Sequence, residues 1–264
     1  MLPLRDNLPT DRFPVLTVVL IAINVLVFGL MLTMSPQETD EAVVEYGAIP
    51  YRLTNPGEDC ALTASESVVC EGTESYEQTP SAPLDDAPWW VTVFTSMFMH
   101  GGFLHLAGNM LFLWVFGNNI EDSMGRPKFL AFYLLSGIAA VYAQTLLDPD
   151  STVPTIGASG AVSGVLGGYI LLHPRARVLT LIFIVFFVTF VEIPAMVMLG
   201  VWFVLQLIPA VGQVATTELA GEGGGVAYLA HLGGFAFGLA TIKLFARRRR
   251  GDPDPPGLRP VEAG

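Results

Sequence analysis

Gly157-Ala158-Ser159-Gly160-Ala161-Val162-Ser163-Gly164 opens an apolar run that continues to Leu172 without a charged residue. A hydroxyl between glycines is a poor choice for a segment whose only task is to sit among apolar groups. It suits a serine that another backbone must approach closely. A second anomaly, Ala230-His231-Leu232-Gly233-Gly234, also lies inside an apolar stretch. An ionisable side chain at membrane depth is costly and points to function. Serine and histidine together suggest a nucleophile and its base.

Composition supports membrane depth. The chain has 264 residues, 52% hydrophobic and 14% charged, with a mean hydropathy of +0.54. That is too apolar for an ordinary soluble domain of this size. The net charge of −11, with Arg247–Arg250 as the one dense basic cluster, gives no footprint for a nucleic-acid partner. Runs long enough for spans fall near 14–33, 101–120, 129–147, 156–172, 194–211 and 226–246. The first lacks a small-residue cleavage site and reads as a retained span. The stretch 178–193 is apolar but short, and Glu192 and Pro194 interrupt it. It reads as a connection near a membrane face. The expectation is an all-α membrane protein with six transmembrane helices over 14–246.

Charge tests that count, because Lys and Arg collect on cytoplasmic loops. The clusters Arg5/Arg12, Arg126/Lys128, Arg175/Arg177 and Lys243/Arg247–Arg250 fall on one side if there are six spans. Only Arg52, of 13 basic residues, falls outside, and 12 of the 24 acidic residues lie between Glu38 and Asp86. A seventh span at 178–191 would put Arg175/Arg177 and Arg247–Arg250 on opposite sides. Both termini are therefore expected in the cytoplasm, in segments 1–13 and 247–264. The tail 251–264 is rich in Pro and Gly and reads as disordered. The first outer loop, 34–99, is long, and its acidic middle (53–86) reads as mobile. Cys60 and Cys70 sit there on the oxidising side, placed to form a disulfide, with two free thiols as the alternative.

Depth is the strongest internal argument. A helix rises about 1.5 Å per residue. Ser159 lies roughly 21 Å above the inner boundary at His173-Pro174-Arg175, and His231 roughly 24 Å above Arg247. His105 and Asn109, on one face at i and i+4, lie roughly 24 and 18 Å above Glu121. In a hydrocarbon core of about 30 Å, all four share one layer, roughly a third of the way down from the outer surface. Scattered polar positions would not predict this. Gly157, Gly160, Gly164, Gly167 and Gly168 in the fourth span, and Gly233, Gly234 and Gly238 in the sixth, let backbones approach closely in lipid. Contact of those two helices would bring His231 within reach of Ser159.

The chemistry follows from the residue types. Ser159 needs a partner for its proton. His231 fits as general base and then as general acid to a leaving amine. No carboxylate lies at matching depth to orient it, since Glu192 is near the opposite face, so a dyad is expected. The oxyanion needs donors already in place. Ser159 begins its helix, so its backbone N–H is unpaired and the helix dipole is favourable. His105 and Asn109 can add side-chain donors. The short fourth helix and the glycine-rich segment 221–225 leave room for water.

These features resemble the rhomboid family of intramembrane serine proteases. The matching motifs are Gly157-Ala-Ser-Gly160, Ala230-His-Leu-Gly-Gly-Phe-Ala-Phe-Gly238 and His100-Gly-Gly-Phe-Leu-His105-Leu-Ala-Gly-Asn109. Met124 to Gly137 also looks like the family's second-to-third helix junction. The resemblance covers about 89–245. It implies Ser159 as nucleophile, His231 as base, and His105, Asn109 and the Ser159 amide as the oxyanion site. It implies cleavage of a substrate's transmembrane segment near its outer end, with small residues favoured at the cut and no cofactor. It implies a multi-pass protein of the cell membrane whose site opens to the extracytoplasmic side. Two departures stand out. Some members carry an aromatic one turn after the serine that packs on the histidine; here that position is Ser163, so another group must hold His231. The insert 53–86 has no counterpart in the resemblance.

Other readings are weaker. No His-Glu-x-x-His is present for a metalloprotease, and no Asp pair lies within spans for an aspartyl protease. A non-catalytic member that binds membrane clients is the alternative from another class, although such relatives are expected to lack the serine or the histidine. A transporter would show internal symmetry between halves, and none is visible.

Overall fold

The computed structural model describes residues 1–63, 67–78, 87–184, 187–215 and 227–246. The basic cluster Arg247–Arg250, the tail 251–264 and the glycine-rich segment 221–225 lie outside the described residues. So do 64–66 and 79–86 of the acidic insert.

In chain order, strand β1 (Leu2–Asp6) leads into helix α1 (Val15–Met31). Helices α2 (Pro36–Tyr46) and α3 (Pro50–Thr54), strands β2 (Cys60–Leu62) and β3 (Val68–Cys70), and helices α4 (Glu74–Gln78) and α5 (Trp89–Thr95) follow. Next come α6 (Phe103–Met124), α7 (Arg126–Leu147) and α8 (Ser159–Leu172). Strands β4 (Arg177–Ile184) and β5 (Phe187–Pro194) and helices α9 (Ala195–Ala215) and α10 (Tyr228–Phe245) complete the order.

Helices α1, α6, α7, α8, α9 and α10 lie on the six apolar runs. By length and composition, α7 and α10 are long and apolar enough to cross a membrane; α1, α8 and Ala195–Val211 of α9 are shorter apolar helices. The outward face of α9 exposes Val197, Val201, Val204, Leu205 and Ile208 at helical spacing. So much contiguous apolar surface suits lipid rather than water.

The centre of the bundle is α8, which is buried from Gly160 through Tyr169 and packs on α6, α7 and α10. Large side chains fill the inner half around it, among them Phe116, Phe129, Phe132, Tyr133, Leu166 and Tyr169. Small residues dominate its contact with α10. A Cβ at Gly234 would fall 2.1 Å from the carbonyl oxygen of Gly160, and one at Gly238 1.9 Å from that of Gly164. Helix association in lipid rests on such close packing because the tails are as apolar as the side chains. The glycines also serve a third helix. Gly233 faces Ala143 and Ala139 of α7, not α8, and Gly160 and Gly164 meet Ala140 and Ser136 of α7. Grouping Gly233 with the contact between the fourth and sixth spans is thus corrected. Consecutive glycines point about 100° apart on a helix, so each reads a different neighbour.

A buried carboxylate closes the end of the bundle where α6 finishes. Pro14 precedes α1 and offers no side-chain cap. Glu121, in the last turn of α6, supplies one instead. Its Oε1 accepts from the Leu16 N–H at 3.0 Å, and its Oε2 from the Thr17 N–H at 2.8 Å and the Thr17 hydroxyl at 2.9 Å. These amides are among those a helix start leaves without partners. Glu121→Ala is expected to lower stability by about 2 kcal/mol, read as a lower thermal midpoint in detergent. An unchanged midpoint would contradict this role.

Two features depart from the all-α expectation. The apolar stretch 178–193 is a β-hairpin, with Arg177 opposite Pro194 and Ile184 opposite Phe187. The N-terminal strand adds to it in the antiparallel order β1-β4-β5. The Asp6 carboxylate fastens this sheet to the bundle, accepting from the Tyr169 hydroxyl of α8 and from the Asn119 amide of α6. The stretch reads as featureless because its apolar residues do not alternate with polar ones, which removes the usual strand signal. The second departure is in the outer loop. Part of the insert expected to be mobile is built on a hairpin closed by a Cys60–Cys70 disulfide. Both sulfurs are buried against Val44 of α2 and Ile49. A capping box between Ser35 and Glu38 starts α2 and directs it under this hairpin.

Candidate active site

Ser159 is the first residue of α8, with its backbone N–H at the positive end of the helix. The loop before it is clamped by the segments before α3 and α6. Thr155 and Ala48 exchange backbone hydrogen bonds, and the Gly157 N–H donates to the Ser96 carbonyl at 2.8 Å. Gly157 adopts φ +119°, a conformation that side chains other than glycine rarely take. A Cβ there would strike Nε2 of His105 at 2.7 Å and lie 3.6 Å from Oγ of Ser159. The missing side chain therefore lets the His105 ring close over the loop beside the serine hydroxyl.

Helix α6 carries His105 at its exposed mouth and Asn109 one turn deeper, buried. Nδ2 of Asn109 has no hydrogen-bond partner among the described residues. A buried donor without a partner costs stability and invites a functional explanation. His100, three residues before α6, ties that helix to the serine loop. Its ring meets His105 edge-on at 5.0 Å between centroids, and its Nε2 lies 3.5 Å from the Ala158 N–H. Burial, and secondarily the His105 ring, hold the His100 imidazole down to about 4, so it is neutral and can accept.

His231 stands in the first turn of α10, only 8% exposed. The glycine contacts above set its distance from α8: Ala230 and Gly160 face one another, with Ser159 and His231 as their neighbours. Ala230, Ser159, Ser96 and Thr155 line a cavity of about 20 Å³, which has room for a water. The Ser163 hydroxyl bonds back to the Ser159 carbonyl at 2.6 Å. Helix α9 supplies neighbours to the imidazole. The Trp202 ring lies 6.1 Å from the His231 ring, between centroids, and Nδ1 of His231 lies 2.8 Å from Oε1 of Gln206. Neither α9 residue stands out in the sequence reading. An amide in the middle of the apolar run 194–211 is the signal that would have found Gln206.

The family model of the Rhomboid domain matches residues 87–248. The chain belongs to the rhomboid family. Rhomboid protein 1, mitochondrial, of Saccharomyces cerevisiae is 33% identical over 153 residues, 56% of this chain and 40% of that protein. Rhomboid protease GluP of Bacillus subtilis is 30% identical over 164 residues, 61% of this chain and 26% of that protein. The chain thus spans well under half the length of either relative. Putative rhomboid protease YdcA, also of Bacillus subtilis, is 34% identical over 82 residues. Rhomboids are helical membrane proteins, and the family includes serine intramembrane proteases. In this rhomboid all the polar positions above lie inside the matched segment, whereas the disulfide hairpin lies before it.

Proposed function

We propose that this rhomboid is an intramembrane serine endopeptidase acting through Ser159 and His231. The observation that carries the reading is a serine at a helix start, beside a histidine and a close helix–helix contact. Ser159 opens α8 beside His105, where α8 and α10 pack backbone against backbone. Oγ of Ser159 attacks a peptide carbonyl carbon and its proton passes to Nε2 of His231. The resulting oxyanion takes hydrogen bonds from the Ser159 N–H, Asn109 Nδ2 and His105. When the C–N bond breaks, His231 returns the proton to the leaving amine. Water then repeats the sequence on the acyl-enzyme, freeing Ser159. Asn109 Nδ2, without a partner among the described residues, supports this assignment, because a preorganised donor is costly until its acceptor forms.

In this reading six helices cross the cell membrane and both ends of the chain face the cytoplasm. The site opens to the extracytoplasmic side. Substrates are transmembrane segments of other membrane proteins, cut near their outer ends with small residues at the bond, and no cofactor takes part. Purified protein in liposomes is expected to cut a reporter transmembrane segment in its outer half; an intact reporter would reject the proposal in favour of client binding. Asn109→Ala is expected to lower kcat by about 10²-fold with little change in KM. A change in KM alone would instead assign Asn109 to substrate binding.

A further inference from the structure

The imidazole of His231 can act as a base only if its lone pair faces the serine, and among the described residues no carboxylate faces it to enforce that. From the hydrogen bond between Nδ1 of His231 and the side-chain oxygen of Gln206, we infer that Gln206 is the positioning residue of the catalytic histidine. The inference rests on the protease reading above and deepens it.

The geometry is simple. An amide oxygen only accepts, so a ring nitrogen 2.8 Å from Oε1 of Gln206 must carry the hydrogen. That places the proton on Nδ1 and the lone pair on Nε2. The ring is further fixed by Trp202, one turn before Gln206 on α9, and by Tyr228, whose ring meets it edge-on at 6.3 Å. During acylation the serine proton moves to Nε2 while Nδ1 keeps its own, still donated to the amide. When Nε2 passes its proton to the leaving amine, the starting tautomer is restored. Gln206 orients the ring throughout and never changes protonation. A neutral dipole thus does the orienting task of a carboxylate without placing a second charge in the membrane, where unpaired ions are expensive.

Among the described residues, the titratable groups facing His231 are His105 from α6 and Tyr228 on its own helix. Helix α9 carries no charged side chain, and α7 meets the start of α10 through Ala139, Ala140 and Ala143. A carboxylate introduced at 206 would therefore add a charge that none of these described groups supplies.

The test uses the full chain in liposomes, with kcat, KM and pH profiles for wild type, Gln206→Leu, Gln206→Glu and Ser159→Ala. Gln206→Leu is expected to lower kcat about 10- to 100-fold while leaving KM within about twofold; losing a charged orienting group costs more, up to about 10⁴-fold. Gln206→Glu keeps the acceptor and should restore most of kcat. It should also move the acidic limb of kcat/KM upward by about one pH unit, because a carboxylate favours the imidazolium and so removes the base at higher pH. A Leu variant with wild-type kcat, or an active Glu variant with an unmoved limb, would overturn the inference. So would ¹⁵N NMR of histidine-labelled wild type showing His231 protonated on Nε2, a measurement that needs no variant to fold. Cleavage surviving in Ser159→Ala would sink the protease reading itself. A dead Ser159→Ala beside indifferent Gln206 variants would sink only the role of Gln206.

Discussion

Ser159→Ala is expected to abolish cleavage, lowering kcat by at least about 10⁴-fold, while the protein remains folded. The change removes one oxygen from a half-buried position at the top of α8. The Ser159 hydroxyl carries no structural hydrogen bond among the described residues, and the bond from Ser163 reaches the carbonyl of residue 159, which alanine keeps. Thermal midpoints of the two proteins should therefore agree closely. The loss of rate is large because nothing else at the site can form the acyl bond. In enzymes of this chemistry, removing the nucleophile costs about 10⁶ in kcat, and the remainder reflects the oxyanion site alone. Equal midpoints with unchanged cleavage would reject Ser159 as nucleophile. A fall in both would show a structural role.

The second large effect concerns the α8–α10 contact. Gly238→Val is expected to lower stability by about 3 kcal/mol or more and to reduce cleavage at least about 10²-fold. The first added carbon would lie 1.9 Å from the carbonyl oxygen of Gly164 and 2.6 Å from its carbonyl carbon. Both are backbone atoms of a buried helix and cannot swing aside. The helices must separate, and a shift of about 1 Å between catalytic groups can by itself cost about 10²-fold in rate. Gly200→Ala on α9 is the control, since a Cβ there meets nothing within 4 Å. It should leave both the thermal midpoint and the cleavage rate unchanged. A Gly238→Val protein with wild-type stability and activity would contradict the close packing of α8 on α10.

Much of this architecture is legible in the chain because membranes penalise polarity. Ser159, His231, His105 and Asn109 interrupt apolar runs, and such interruptions are costly unless used. The helices themselves follow from run length. The small sheet is harder to read. Residues 178–193 are mostly apolar without regular alternation, and only their richness in β-branched residues (Val178, Thr180, Ile182, Ile184, Val188, Thr189, Val191, Ile193) marks them as strands. The outer loop misleads for another reason. Its acidic composition suggests disorder, yet a ten-residue cross-link between Cys60 and Cys70 holds a hairpin against α2. Gln206 stays hidden because a histidine's partner is commonly sought among carboxylates, and an uncharged amide leaves no mark in charge patterning.

The most direct test of the Ser159–His231 pair is covalent. The reconstituted protein is treated with a fluorophosphonate, digested, and the adduct mapped by mass spectrometry, in parallel with His231→Ala. The account predicts a single adduct on Ser159 that disappears when the imidazole is removed. Labelling of Ser159 at an undiminished rate in His231→Ala, or an adduct on another residue, would contradict it.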